Sequence, residues 1–325
     1  MPLEQLESGS DAIRNLKSKL SNFETEKGRL SGLSYVPKSA DEIIITTTPK
    51  AGTTWLQQIC HQLRSGSNGG DMSFSEISEV VPWLELAYDQ GQDLNDPQYG
   101  DADDMPRVFK SHAWEPHCPK GCKRIIVLRD PMDVVLSFYK FFNGWFFEPD
   151  TVSLEEFANE FWLSRGVPES KMNNASYFHH LVSWYKCRND PDVLFIFFEN
   201  LKENLDNEIR RIAKFMSTSK HDFTAEEIVQ GAKHRSSYQF MKSHESHFDE
   251  KLSKLARNEA CGLPKTAGMS ESKIKRGDSG VGKESLPNSI REGILKKWSE
   301  IVEPETGCKS YEDLRTSMNT MTTQI

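Results

Sequence analysis

One junction constrains the fold of this 325-residue chain more than any other. Glu42-Ile-Ile-Ile-Thr-Thr47 is a short β-branched run, the composition of a buried strand. Helical spacing begins almost at once behind it, with Trp55, Ile59 and Leu63 on one stripe and Leu56 and Cys60 beside them. Three later runs read the same way: Arg107-Val-Phe-Lys110, Arg124-Ile-Ile-Val-Leu128 and Val193 to Phe198, each brief, apolar and followed by polar residues. Helical patterns lie between or after them. Asp130-Pro131 puts proline in a first turn, and Val134, Val135, Phe138 and Phe142 supply the buried stripe behind it. Residues 173–188 and 200–216 are also helical by pattern. Strands alternating with helices predict an α/β fold, a single domain with a central parallel sheet flanked by helices. Ligands in such folds sit at the carboxyl ends of the strands, so chemistry is expected in the residues directly after each strand.

The remaining segments divide the chain. Leu6, Ile13, Leu16 and Leu20 have helical spacing among many charges, which predicts a peripheral helix over 3–30 and an N-terminal segment 1–33. The main domain is expected over 34–302 and a C-terminal tail over 303–325. Residues 264–289 are rich in Gly, Ser and Lys without a period, the pattern of a long, functional lid loop. The longest strictly apolar run, Val193 to Phe198, is too short to cross a bilayer, so no membrane span is expected. The first thirty residues carry scattered charges and no apolar block, which argues against a secretory signal. Six dispersed cysteines suit a reducing, cytoplasmic setting. A net charge of −8 argues against nucleic acid as a partner. Cys118 and Cys122, with His117 beside them, are spaced widely and have no second pair, so no metal is expected.

The first strand ends in Thr47-Thr-Pro-Lys-Ala-Gly-Thr-Thr-Trp55. A helix opening inside this segment offers free N–H groups and a positive dipole end to an anion. Gly52 permits close backbone approach, Lys50 adds a positive charge, and Thr53 and Thr54 add hydroxyls. A nucleoside triphosphatase loop would carry its lysine after a second glycine, whereas here lysine precedes the glycine and the first glycine is absent. Taken alone, the segment reads either as an anion cradle or as an ordinary turn with a surface lysine. Arg129 follows another strand directly, with Ser137 two helical turns on. Its fork suits two phosphate oxygens, or a structural ion pair with a carboxylate.

Together these segments resemble the sulfotransferase family that uses 3′-phosphoadenosine 5′-phosphosulfate, and its cytosolic branch in particular. The resemblance runs from about Ser34 to about Trp298 and includes Arg107-Val-Phe-Lys-Ser-His112 and Phe197-Phe-Glu-Asn-Leu-Lys-Glu-Asn204. It implies a P-loop-like phosphosulfate turn made by Lys50, Ala51, Gly52, Thr53, Thr54 and Trp55. It implies a 3′-phosphate pair, Arg129 and Ser137, and a closing loop of Lys275, Arg276 and Gly277, where the family has Arg-Lys-Gly. Trp55 and Tyr238 would hold the adenine, with Phe198, Ser236 and Met241 lining its pocket. His112 would be the general base, with Lys50 and Lys110 stabilising charge on the transferring group; without that context a lone histidine is more often structural or exposed. Trp83, Phe142 and Phe147, with Trp145 and Phe146, fall in acceptor-site segments, where core packing is the alternative. The acceptor would be a small alcohol, phenol or amine, with no metal involved. Lys283 and Glu292 match the ends of a family dimer patch, but Pro287-Asn288 replaces its Thr-Val centre, so a homodimer is not carried over. A carbohydrate sulfotransferase, a kinase-type protein and a nucleotide-binding protein without turnover are the competing readings.

Overall fold

The computed structural model describes residues 9–100, 105–274 and 280–322. Its centre is a four-stranded sheet of β1 (Ile43–Thr47), β2 (Val108–Ser111), β3 (Lys123–Leu128) and β4 (Val193–Phe197), in the order β2-β1-β3-β4. Every pairing is parallel, with Ile45 opposite Lys110, Thr46 opposite Ile126 and Leu128 opposite Phe197. Side chains alternate across a strand. Ile43, Ile45, Val108, Ile125, Val127 and Ile196 therefore enter one core layer. Ile44, Phe109, Ile126, Leu128, Phe195 and Phe197 enter the other. Both layers are apolar because helices cover both faces, which is why these strands read as unbroken hydrophobic runs.

Before the sheet come α1 (Gly9–Ser21) and α2 (Glu26–Leu33). The first layer is closed by α3 (Thr53–Arg64), through Leu56, Ile59 and Leu63. The second is closed by α4 (Pro131–Phe142) and α5 (Tyr177–Tyr185), through Val134, Phe138, Phe178 and Trp184. α6 (Leu205–Met216) and α7 (Glu226–Arg235) flank α3, contributing Ile209, Ile212 and Val229 to the first layer. Among the described residues no helix is long and apolar enough to cross a membrane.

Several boundaries differ from the sequence pattern. The N-terminal helix is broken in two, because the Thr25 side chain caps α2 by accepting the Gly28 N–H at 2.9 Å. It is not peripheral either: Ile13 and Leu16 are buried in the second core layer. Asn204 likewise divides 200–216, and its side chain caps α6. The tail holds a helix, Tyr311–Thr322, whose Leu314 is buried and whose Tyr311 hydroxyl donates to Glu199 at 2.5 Å. The 264–289 stretch contains a short helix, Val281–Ser285.

α2 packs directly on the backbone near Leu84. A Cβ at Gly32 would sit 1.7 Å from the Leu84 carbonyl oxygen, and a backbone atom cannot swing aside. Gly32→Ala is expected to cost roughly 1–3 kcal/mol or more, the overpacking range. Urea denaturation should show a lowered midpoint with little change in slope.

A candidate active site at the carboxyl edge of the sheet

Because all four strands run the same way, their carboxyl ends share one edge of the sheet. The chain leaves β1 toward Lys50, β2 at His112, β3 at Arg129 and β4 at Phe198.

After β1 the backbone turns sharply. Lys50 and Gly52 both have left-handed conformations, with φ of 73° and 114°. A Cβ at Gly52 would lie 2.8 Å from the Phe198 ring, so glycine is required on two counts. α3 then opens at Thr53. Trp55 and Leu56 both donate their N–H to the Gly52 carbonyl. The amides of Thr53 and Thr54 head the helix, where no intrahelical acceptor exists and the dipole is positive. Thr47 and Thr53 share a hydroxyl hydrogen bond of 2.5 Å. Ala51 has a different place: it is buried, and its amide donates to the Thr48 carbonyl at 3.3 Å within the turn itself.

Arg129 is tied to this turn through Nη1, which donates to the Lys50 carbonyl at 3.2 Å. Its guanidinium lies 4.4 Å over the Phe198 ring, and its buried Nε has no hydrogen-bond partner among the described residues. Trp55 meets Phe198 edge-on at 5.5 Å and donates from Nε1 to the Ser236 carbonyl at 2.8 Å. Ser236 Oγ is buried and likewise unpartnered. Arg129, Ser137, Trp55, Phe198, Ser236, Tyr238 and Met241 all line one cavity. Lys275, Arg276 and Gly277 lie outside the described residues. The chain just beyond them docks on α4, where the Asp133 carboxylate accepts the N–H groups of Gly280 and Gly282 at 2.9 and 2.8 Å. Lys283, from the possible dimer patch, pairs within the chain with Asp130 at 3.3 Å.

His112 lies farther along the same cavity. Its Nδ1 is 2.8 Å from the Thr47 carbonyl. A carbonyl only accepts, so Nδ1 carries the proton and Nε2 keeps its lone pair. Glu85 holds the backbone here, accepting the His112 N–H at 2.7 Å and the Ser111 hydroxyl at 2.9 Å. Burial, then the charge of Lys110, pushes the imidazole well below the ordinary histidine range, so the ring is neutral. Trp83 packs edge-on to it at 5.1 Å. Lys110 places its Nζ 3.9 Å over Trp83 and 3.7 Å from Glu250. Lys50 places its Nζ 3.9 Å over Phe141. Burial lowers both lysines, with Lys273 the next cause for Lys50. Burial would raise the Glu250 carboxyl, but Lys110 and Lys273 hold it below the usual range.

The cavity encloses about 1520 Å³. Beyond His112 its wall is aromatic: Trp83, Phe142, Trp145 and Phe146, with Phe23 and Phe141. Phe147 does not belong to this wall. It is buried against Tyr139 and Phe157, with ring centroids 5.7 and 6.3 Å away. Gly144, at φ 81°, reverses the chain and a bridge joins Asn143 to Phe147, which turns Trp145 and Phe146 toward the cavity instead. Sequence reasoning missed Phe23, Phe141, Glu85, Glu250 and Lys273. Phe141 alone had a local signal, one helical turn before Trp145. Among the described residues, no cluster of three or more metal-type side chains is gathered. Cys118 and Cys122 are buried free thiols, and burial raises both, Cys122 to about 12.

The family model for the sulfotransferase domain matches residues 40–300. The chain belongs to the sulfotransferase family. This sulfotransferase is 29% identical over 213 residues to sulfotransferase 1E1 of Cavia porcellus, a match covering 63% of this chain and 67% of the relative. It is 30% identical over 207 residues to sulfotransferase 1B1 of Canis lupus familiaris, covering 62% and 66%. These alignments span about two thirds of the relatives' length. The fold is also that of retinol dehydratase crystallised with androsterone and the inactive cofactor PAP (TM-score 0.63, 16% identity, 90% of this chain and 94% of that one). A mouse sulfotransferase complexed with PAP has the same fold (TM-score 0.54, 19% identity, 86% and 91%).

Proposed function

We propose that this enzyme moves a sulfuryl group from 3′-phosphoadenosine 5′-phosphosulfate to a hydroxyl or amine of a small acceptor, with His112 as general base. One observation carries the reading: a buried, neutral histidine with its proton committed to the Thr47 carbonyl lines a cavity shared with the buried Lys110 and the half-buried Lys50. The nucleotide end supports it. The helix amides at Thr53 and Thr54, the unpartnered Arg129 Nε and the unpartnered Ser236 Oγ are donors suited to phosphate oxygens. Trp55, Phe198 and Tyr238 offer faces and edges for a base. The residues present therefore fit the nucleotide.

When bound, the donor supplies an activated sulfuryl group with a nucleotide phosphate as its leaving group. The chain does the rest. His112 Nε2 accepts the proton from the acceptor hydroxyl or amine. Lys50 and Lys110 stand where negative charge is to be stabilised. Burial disfavours their charged form, and an incoming anion restores it. The aromatic wall excludes water and takes an apolar acceptor body. Retinol dehydratase, which shares the fold, holds androsterone or retinol, in line with such a pocket. No metal, nucleic acid or membrane enters this scheme, and a cytoplasmic setting suits it.

Calorimetric titration without added metal tests the reading, with 3′-phosphoadenosine 5′-phosphate (PAP) beside ATP and AMP. Preference for the 3′-phosphorylated nucleotide is expected. Binding of ATP alone, or of nothing, would overturn it.

A further inference from the structure

We propose that Lys273 is a third sulfuryl-contacting cation of this site, held in place by Glu250 as its positioning residue. The inference rests on the donor reading above. Glu250 stands at the head of the Lys251–Arg257 helix in a left-handed conformation, φ 56°, and is buried. Its Oε1 accepts from Lys273 Nζ at 2.5 Å and lies 3.7 Å from Lys110 Nζ. Its Oε2 accepts from the Ser253 hydroxyl at 3.0 Å. Glu76 braces the same helix start, accepting the Leu252 N–H at 2.6 Å. One carboxylate thus gathers lysines from β2 and from a segment far along the chain.

Lys273, Lys110, Lys50 and Glu250 all line the cavity, and Lys110 stands over the Trp83 ring that meets His112. Lys50, Lys110 and Lys273 repel one another across the cavity wall, where Glu250 is shared between two of them and Glu76 and Glu85 also face Lys110. Like charges held this close in a partly desolvated place are costly. An anionic group entering between the lysines relieves that repulsion. That is a preorganised anion site at the reacting end of the cavity, apart from the Arg129 and Ser137 end. Glu250 itself, being anionic, has no role against sulfuryl oxygens. Its role is to keep Lys273 aimed inward and to set its distance from Lys110.

PAP lacks the sulfuryl group and the full donor carries it, so comparing the two isolates Lys273. Equilibrium binding without acceptor should show Lys273→Gln binding PAP like wild type while its donor-to-PAP affinity ratio falls about tenfold, the loss of one charge-assisted contact. Single-turnover transfer should fall about 10–100-fold, as for removal of one stabilising donor. Lys273→Arg should restore most of the ratio. Glu250→Gln should lower it less, and add little on top of Lys273→Gln, because the two act as one unit. Should Lys273→Gln unfold because Glu250 loses its nearer lysine, the double variant removes both charges and should still lack the donor preference. An unchanged ratio in Lys273→Gln or the double variant, or equal loss for PAP and donor, would overturn the inference. Failure of wild type to bind PAP would instead break the donor reading.

Discussion

Replacing His112 with alanine is expected to lower transfer by about 10²–10⁴-fold while PAP binds as before. The imidazole touches the Thr47 carbonyl and the Trp83 edge, away from the helix-head amides of Thr53 and Thr54 proposed to hold the nucleotide. Its loss removes the proton acceptor without disturbing Lys50, Gly52 or Thr53. Paired single-turnover and calorimetric measurements separate the two effects, and transfer that survives in the variant removes His112 from the base role. The pH profile is a second check with a definite sign. Burial and Lys110 lower the His112 pKa, so the base form persists into more acidic solution than for an ordinary histidine. The acid limb of kcat/KM should fall below about pH 6.5, the unperturbed value. The lysines act on the other side. Lys50 and Lys110 are lowered from ordinary lysine values, so the alkaline limb of kcat/KM should begin earlier than for exposed lysines. Because kcat/KM reports the free enzyme, both limbs belong to the empty cavity.

Arg129→Ala is expected to weaken PAP by one to two orders of magnitude, since hydrogen bonds to a charged group are each worth about 1.5–3 kcal/mol. The same change should leave adenosine 5′-phosphates without a 3′-phosphate nearly unaffected. Lysine should rescue poorly. The guanidinium combines a bond to the Lys50 carbonyl, a face over Phe198 and an unpartnered Nε, and a compact ammonium cannot meet all three. Titration of the variant with PAP and with AMP decides the matter. Equal loss for both would reduce Arg129 to a brace for the turn.

The strand-to-helix turn at Lys50 was legible because its parts are local. A β-branched strand, a glycine at a sharp turn and a helix start succeed one another between Ile43 and Trp55, each with its own residue preference; the left-handed conformation of Lys50 had no such signal. Arg129 was legible for the same reason, since Asp130 and Pro131 mark the helix that follows it. Parallel strands then forced these turns onto one edge with His112.

The aromatic wall and the charge network were a different matter. Phe147 and Phe146 are neighbours in an aromatic run, and which one faces the cavity depends on the chain reversal at Gly144. Phe23 reaches Trp83, Trp145 and Phe146 only because α1 and α2 pack into the core. Glu85 and Glu250 sit in segments without periodicity, and their partners lie distant in sequence. Local propensity and hydrophobic period thus determined the strands, the helix starts and the anion turn, since each is an interaction among neighbours in the chain. Packing alone decided which aromatic rings line the cavity and which carboxylate gathers the lysines, because burial and Coulomb contact depend on distance through space, to which sequence order is blind.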